Sequence, residues 1–169
     1  YDEIDALPGN LQFPLFVKPA KAGDSLGVDD ASKANNLEDL KKKVQAILDE
    51  FGSALVEEYI DGREFTVLVC GNADGRTCTS FKPIEYIFPE GFAFKTYALK
   101  TSELHPNANI GVEDKALAAQ LQSIAEQVFL SFNGVGYARM DFRMNHKGEI
   151  FFLEINFTCS VFYAEGYEG

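Results

Sequence analysis

Charged residues interrupt two strongly apolar segments in the last part of the sequence. Strand alternation over residues 135–144 separates two sets of side chains. One face carries Tyr137, Arg139, Asp141 and Arg143, and the other carries Ala138, Met140, Phe142 and Met144. On the segment 149–156, Glu154 and Asn156 share a face with Phe152. Carboxylate and amide oxygens are ligands for hard cations, so this pair of segments predicts a magnesium site.

The turn between the two segments sets their predicted register. A four-residue turn over 145–148 would place Asp141 opposite Phe152 and Arg139 opposite Glu154. The two carboxylates would then be diagonal neighbours about 7–8 Å apart at the backbone, close enough to share one or two cations. The same spacing is also compatible with a structural role, in which Arg139 pairs with Glu154 and Asp141 lies in solvent.

A lysine followed by a glycine-bearing loop is the second candidate. Lys18 ends a predicted strand over residues 15–18, and a loop with Ser25 between Gly23 and Gly27 follows. Backbone N–H groups of such a loop can approach phosphate oxygens while the lysine supplies positive charge. The pattern matches neither the P-loop nor the dinucleotide fingerprint, and a solvated surface turn remains the alternative.

Three glutamates interrupt the apolar segment 55–67, which we interpret as a hairpin. Alternation sends Glu57 and Glu58 to opposite faces, so at least one of them needs a partner. A purine amino group and ribose hydroxyls would meet that need. The alternative is an exposed hairpin edge on which Arg63 pairs with a glutamate.

The elements that must position these residues are short strands and two helices. The strands are predicted at 15–18, 54–60, 63–71, 76–88, 135–144 and 149–156. The second, third and fourth of them are predicted to form an antiparallel meander. The first helix covers 37–51, is capped by Asn36, and has a core stripe of Leu37, Leu40, Val44, Ile47, Leu48 and Phe51. The second helix covers 113–132. Residues 89–112 are predicted to be mostly loop, with one short strand at most near 94–100.

Composition excludes several classes of protein. The 169 residues carry 15 Lys and Arg against 26 Asp and Glu, a net charge of -11, which argues against binding a nucleic-acid backbone. No apolar run is long enough to span a membrane, and the N-terminus does not resemble a signal peptide. The three cysteines lack metal-site or disulfide-framework spacing, which favours a reducing, cytoplasmic setting.

Taken in order, four segments resemble the ATP-grasp superfamily, most closely its D-alanine-D-alanine ligase branch. They are Phe16 to Val28, Leu55 to Val67, Gly136 to Phe142 and Gly148 to Asn156. The resemblance implies an α+β fold whose antiparallel sheets and packed helices form two lobes around a nucleotide cleft. It assigns approximately residues 1–75 to the central lobe and 76–169 to a truncated C-terminal lobe, with the N-terminal substrate domain absent.

The resemblance also implies the residues that bind nucleotide. Lys18 would contact the phosphates, and the loop with Gly23, Ser25 and Gly27 would fold over them. Glu57 would take the adenine amino group, and Glu64 would bind the ribose. The remaining implied contacts are the backbone of Tyr59 and Ile60 along the adenine, and Lys100 as a second phosphate lysine, with Lys95 as its substitute.

The catalytic and metal residues follow from the same resemblance. Asp141, Glu154 and Asn156 match the ligands of Mg2+, for which Mn2+ could substitute. Arg139 matches the arginine that steadies the acyl phosphate and the tetrahedral intermediate, and Ser25 is the second catalytic candidate.

The implied function is an ATP-dependent ligase that joins a carboxylate to an amine through an acyl phosphate. The alternatives are another ATP-grasp ligase, of dipeptide or carboxylase type, and a nucleotide-binding module without catalysis. The sequence departs from the branch at substrate-contacting positions, with Asp24 beside Ser25, Thr101, and the run Phe157 to Ser160. The implied partners are ATP and two small molecules, without nucleic acid or membrane, and the sequence leaves a homodimer open.

Overall fold

The computed structural model describes residues 11–23, 25–94, 108–157 and 159. The described residues divide into two compact units. The first contains the described residues up to Tyr59 together with Phe94, and the second contains 60–93 and the described residues from 108 onward. The chain therefore passes from one unit to the other at Tyr59, whereas the sequence placed an approximate boundary after residue 75. The assignment of these units to named lobes stays a prediction.

The described residues of the first unit form β1 (Leu15–Pro19), a short 3-10 turn (Asp30–Ser32), β2 (Lys33–Ala34), α1 (Leu37–Phe51) and β3 (Ala54–Glu58). The three strands make an antiparallel sheet in the order β2-β1-β3. Helix α1 begins and ends where the sequence predicts. The Asn36 side chain accepts a hydrogen bond from the Asp39 N–H at 3.0 Å, and left-handed Gly52 ends the helix.

The core of the first unit lies between α1 and its sheet. It consists of Leu15, Val17, Ala34, Leu40, Val44 and Ile47, with Leu48 and Phe51 packed against it. The predicted helix stripe is therefore correct except at Leu37, which is 37% exposed. Leu37 is the first residue of the helix, and it precedes the turns that face the sheet.

The described residues of the second unit form β4 (Gly62–Gly71), β5 (Cys78–Ser80), β6 (Ile84–Tyr86), β7 (Asn109–Gly111), α2 (Lys115–Ser131), β8 (Tyr137–Asn145) and β9 (Ile150–Asn156). The six strands make one sheet in the order β7-β6-β4-β8-β9, with β5 also paired to β4. The Asp114 side chain caps α2 by accepting from the N–H groups of Ala116 and Leu117, so the helix begins two residues later than predicted. No helix in the described part of the chain is long and apolar enough to cross a membrane.

Alternation along β4 and β8 gives this sheet one apolar and one polar face. The apolar face packs against α2, and its core is Phe65, Val67, Val69, Leu117, Leu121, Ala125, Phe129, Ala138, Met140 and Phe142. The intervening positions on β4 and β8 include Glu64, Thr66, Arg139, Asp141 and Arg143. The candidate residues of the second unit therefore project from the face opposite α2.

Strand pairing around residue 60 differs from the predicted hairpin. Strand β3 pairs with β1, and β4 pairs with β5, β6 and β8, so the 55–67 hairpin is wrong. The N–H of Tyr59 still bonds to the carbonyl of Pro14, which keeps the chain with the first sheet up to that residue. The pairing of β3 with β1, and that of β4 with β8, joins segments distant in the sequence, so neither leaves a local signal.

Two further predictions needed correction. The predicted strand 76–88 is two short strands, because the chain breaks around Pro83, which has no N–H to donate. In the segment 89–112, predicted to be mostly loop, Asn109–Gly111 pairs with β6. The strand predicted near 94–100 falls almost entirely outside the described residues.

Candidate functional site

The polar face of β4, β8 and β9 holds two rows of side chains in register. Asp141 on β8 pairs with Thr66 on β4 and with Glu154 on β9. In the next row, Arg139 lies between Leu68 and Asn156. Residues directly opposite each other in an antiparallel sheet share a face, so backbone pairing alone brings the predicted metal ligands and Arg139 together.

The register between β8 and β9 corrects the predicted one. Asn145 pairs with Glu149 around a three-residue turn, in which Gly148 has a φ of 81°, instead of the four-residue turn predicted. A β-bulge then inserts Leu153, because Phe142 pairs with Phe152 while Asp141 pairs with Glu154. The two carboxylates are therefore direct cross-strand partners, and not the diagonal pair expected.

Asp141 is held by side chains from all three strands. The Thr66 hydroxyl donates to Asp141 Oδ1 at 2.7 Å, and Arg139 Nε lies 3.3 Å from the same oxygen. Asn156 Nδ2 contacts Asp141 Oδ2 at 3.5 Å and donates to Glu154 Oε1 at 3.1 Å. The Asp141 side chain is only 16% exposed. The alternative in which Asp141 lies in solvent is therefore wrong.

Asp141, Glu154 and Asn156 could hold a hard cation, because carboxylate and amide oxygens are the ligands that such cations prefer. Two like charges directly opposite each other are destabilising unless a cation or donor lies between them. Here the Asn156 amide nitrogen is in that position, bridging Asp141 and Glu154, and a 180° rotation of the amide would present its oxygen instead. The described residues contain no cluster of three His, Cys, Asp or Glu, and the amide oxygen of Asn156 is the third protein ligand that the sequence predicts.

Glu64 and Arg143 form a buried charged pair beside these rows. Their side chains are 11% and 6% exposed, with Arg143 Nε 4.0 Å from Glu64 Oε2. Arg143 also donates to the carbonyls of Gly62 at 3.1 Å and Ala93 at 2.6 Å. The sequence placed Arg143 on the polar face but assigned it no role, and the structure places its guanidinium at ion-pair distance from the carboxylate proposed for the ribose.

In the first unit, Lys18 and Glu57 are partners. Lys18 Nζ lies 2.8 Å from Glu57 Oε1, with side chains 20% and 34% exposed. Lys18 pairs with Leu55 and Phe16 with Glu57, so the two charged residues are diagonal neighbours on adjacent strands. Glu57 thus has the partner that its place in an apolar strand requires. Arg63 does pair with a glutamate, but it is Glu85 on β6 and not one of the three glutamates in its own segment.

Tyr59, whose backbone is predicted to line the adenine, belongs to an aromatic cluster in the first unit. The Tyr59 ring stacks against Phe16 at 6.2 Å and meets Phe94 edge-on at 6.1 Å. Lys33 Nζ lies over the Tyr59 ring, 4.2 Å from its centroid. Ile60 is the first residue of the second unit, and its predicted backbone role stays a prediction.

The glycine loop closes on itself through main-chain bonds. The Leu26 N–H donates to the Gly23 carbonyl at 3.1 Å, and the Val28 N–H donates to the Ser25 carbonyl at 3.0 Å. Ser25 has a φ of 56° and Gly27 a φ of 73°. A Cβ at Gly27 would lie 2.8 Å from the Phe51 ring, so only glycine lets the end of the loop approach α1.

The remaining candidates lie outside the described residues. They are Asp24, Lys95, Lys100, Thr101, Thr158 and Ser160. The predicted role of Lys100 as second phosphate lysine and the departures at these positions therefore stay predictions.

Comparison with known proteins identifies this architecture as an ATP-grasp fold. The solved structures of the VanG D-Ala:D-Ser ligase of Enterococcus faecalis and of D-alanyl-alanine synthetase A of Vibrio cholerae match with TM-scores of 0.66 and 0.65, each at 25% identity. They cover 87% and 84% of this chain, and the chain covers 41% of each. The biotin carboxylase domain of the Hydrogenobacter thermophilus 2-oxoglutarate carboxylase shares the fold, with a TM-score of 0.62 at 16% identity.

Sequence comparison defines the family. The family model described as D-ala D-ala ligase C-terminus matches residues 2–161, so the chain belongs to this family. D-alanine-D-alanine ligases of Enterococcus faecalis and Enterococcus gallinarum are 32% and 33% identical over 88% and 93% of this chain. These alignments cover 40% and 47% of the two relatives, so the chain spans less than half the length of these curated proteins.

Proposed function

We propose that the whole protein is an ATP-dependent carboxylate-amine ligase of the D-alanine-D-alanine ligase type. The observation that carries the proposal is the row Thr66, Asp141 and Glu154, with Arg139 and Asn156 in the next row. Together the two rows have two carboxylates, an amide and a guanidinium on one polar face, which suits transfer of a highly charged phosphoryl group. Membership of the ligase family supports the same reaction.

The proposed reaction has two steps. An oxygen of the substrate carboxylate attacks the terminal phosphorus of ATP, which releases ADP and leaves an acyl phosphate. The amine of the second substrate then attacks the acyl carbon and expels phosphate, forming the carbon-nitrogen bond. Neither step needs a nucleophilic side chain, so the protein contributes positioning and charge.

Arg139 would stabilise the acyl phosphate and the negatively charged tetrahedral intermediate. Its Nε lies 3.3 Å from Asp141 Oδ1, so the guanidinium is on the same face of the sheet as the proposed cation ligands, and a guanidinium there suits an anionic group. Asp141, Glu154 and Asn156 would hold Mg2+, with Mn2+ as a substitute. Bound there, the cation would neutralise phosphate charge during transfer.

The proposed nucleotide contacts are the ones that the family resemblance assigns. In the first unit, Lys18 would reach the phosphates, Ser25 and its glycine loop would cover them, and Glu57 would accept the adenine amino group. In the second unit, Glu64 would bind the ribose hydroxyls. Lys18 Nζ and Glu57 Oε1 lie 2.8 Å apart, so nucleotide binding would exchange this ion pair for contacts to the phosphates and to the adenine amino group.

The test measures phosphate release from ATP by the whole protein in the presence of Mg2+. Candidate carboxylates and amines, beginning with D-alanine, D-serine and the L-amino acids, are supplied singly and in pairs. The proposal expects release that needs both a carboxylate and an amine, with a new amide product detected by mass spectrometry. ATP binding without turnover on any pair would instead favour the non-catalytic module, and release with bicarbonate alone would favour a carboxylase-type enzyme.

Arg139 gives a matched variant test. Arg139→Met should reduce kcat by at least about a hundredfold, the usual loss when one oxyanion donor is removed. Arg76→Met makes the same chemical change in the exposed turn after β4 and should leave kcat unchanged. Equal activity of the two variants would show that Arg139 has no part in the reaction.

A further inference from the structure

Thr66 is the described donor with the shortest contact to a proposed metal ligand, and the sequence analysis assigned it no role. Its hydroxyl donates to Asp141 Oδ1 at 2.7 Å. It also lies 3.4 Å from the carbonyl of Met140, which is a weak second contact. Thr66 and Asp141 are direct partners in the β4–β8 register, so their side chains emerge on the same face.

We propose that Thr66 is a positioning residue that holds Asp141 in the orientation for binding the divalent cation. This inference rests on the proposed function, since it assumes that Asp141 is a metal ligand. Thr66 belongs to the second layer of the site, because it touches the ligand and not the reacting atoms. Partners of this kind fix the direction of a ligating carboxylate and affect metal affinity.

The geometry divides the two oxygens of Asp141 between two tasks. Both short contacts from the described residues fall on Oδ1, from the Thr66 hydroxyl and from Arg139 Nε. Oδ2 faces the Asn156 amide at 3.5 Å, on the side where Glu154 also receives that amide. Fixing Oδ1 therefore turns Oδ2 toward the other two proposed ligands.

Thr66 is suited to this task in a way that Arg139 is not. Arg139 is a long side chain, 30% exposed, and is itself proposed to contact the reacting anion. Thr66 is β-branched and sits in the central strand β4 between two paired neighbours, so its χ1 is restricted. A short hydroxyl on a rigid strand fixes the carboxylate before substrate arrives, and lowers the cost of ordering it on metal binding.

The whole protein is titrated with Mn2+ alone, and the concentration of free Mn2+ is measured by electron paramagnetic resonance. The titration gives the Mn2+ dissociation constant. Thr66→Val keeps the shape of the side chain and removes the hydroxyl, and it should weaken Mn2+ binding about 10-fold or more. Thr66→Ser keeps the hydroxyl and should restore binding close to wild type. Thr79→Val removes a hydroxyl that donates to Asn72 on an exposed part of β5 and should change nothing.

A kinetic measurement separates positioning from catalysis. In Thr66→Val the Mg2+ concentration for half-maximal rate should rise by the same factor as the Mn2+ dissociation constant, while kcat at saturating Mg2+ largely recovers. A purely structural role would lower the melting temperature and leave the Mn2+ dissociation constant unchanged, which would overturn the inference. If Thr66→Val does not fold, Thr66→Ala replaces it, and a Ser variant that binds Mn2+ no better than the Ala variant overturns it equally.

Asp141→Asn distinguishes failure of this inference from failure of the proposed function. If Asp141→Asn abolishes Mn2+ binding and Thr66→Val binds like wild type, Asp141 is a ligand and Thr66 does not position it. If Asp141→Asn binds Mn2+ as tightly as wild type, the metal site itself is wrong, and the inference fails with it.

Discussion

The Glu154→Gln variant should be at least as stable to unfolding as wild type without Mg2+, and less stable than wild type when Mg2+ is added. Glu154 and Asp141 are direct cross-strand partners, and like charges in that position destabilise a sheet by about 0.2–1 kcal/mol. Glutamine removes the repulsion, and its side-chain oxygen can still accept the bond from Asn156. Without divalent cation, the variant should therefore be as stable as wild type or more stable by up to about 1 kcal/mol.

Mg2+ should reverse this order. At a concentration 100 times its dissociation constant, a ligand that binds only the folded state stabilises it by about 2.7 kcal/mol. If losing one carboxylate ligand weakens binding about 100-fold, as the upper range for perturbed sites suggests, the variant gains only about 0.4 kcal/mol from the same Mg2+. The wild type should then be the more stable protein by about 1–2 kcal/mol.

The assay is thermal unfolding of the whole protein with chelator and with excess Mg2+, for wild type and Glu154→Gln. Glu90→Gln makes the same chemical change in an exposed turn, and its stability should stay equal to that of wild type both with chelator and with Mg2+. A Glu154→Gln protein that is less stable than wild type by the same amount with chelator and with Mg2+ would refute the reasoning, because the carboxylate would then be structural.

Three further predictions concern single residues. Lys18→Ala should weaken ATP binding by about tenfold or more, the usual loss for a hydrogen bond to a charged group, as calorimetry beside a Lys82→Ala control would show. Gly62→Ala should lower the free energy of unfolding by more than about 1–2 kcal/mol, because Gly62 has a φ of 145° and a Cβ would overlap a backbone carbonyl of β8; Gly75→Ala, at a φ of 65° in open space, should cost less. Burial raises the pKa of the Cys78 thiol, so at pH 7 it should be alkylated more slowly than a free cysteine, and equal rates by mass spectrometry would contradict this.

Helix α1 shows what local sequence could predict. Its first and last residues were correct because the signals are local: Asn36 caps the start, Gly52 ends it, and an apolar stripe lies between them. The polar face of β8 was equally readable, since alternation alone separates Arg139 and Asp141 from Met140.

Strand partners could not be predicted in the same way. The segments 54–58 and 62–71 have ordinary strand composition and adjoin each other, which favours a hairpin. The first of these segments, β3, instead pairs with β1, about 40 residues earlier in the chain, and the second, β4, pairs over its whole length with β8, about 75 residues later. The role of Thr66 was missed for the same reason, because only the β4–β8 register brings it to Asp141.

The bulge at Leu153 explains why the face was predicted correctly although the register was not. A three-residue turn continued without a bulge would pair Glu154 with Met140 and Asn156 with Ala138, on the fully buried face. Burying a carboxylate there without a partner would cost several kcal/mol. One extra residue in β9 reverses the alternation and returns both polar side chains to the face of Asp141.

The positions of the polar residues therefore constrain the backbone more tightly than the turn does. Charged residues on β8 have odd numbers, and the predicted metal ligands on β9 have even numbers. Directly opposite residues share a face, so an odd-numbered residue of β8 must pair with an even-numbered residue of β9. Either a four-residue turn or a three-residue turn with one bulge gives this pairing. The glycine at 148, with its positive φ, favours the shorter turn, and the bulge follows as the remaining solution. An irregularity that looks like a defect in β9 is thus what allows an otherwise apolar strand to carry Glu154 and Asn156 into the candidate site.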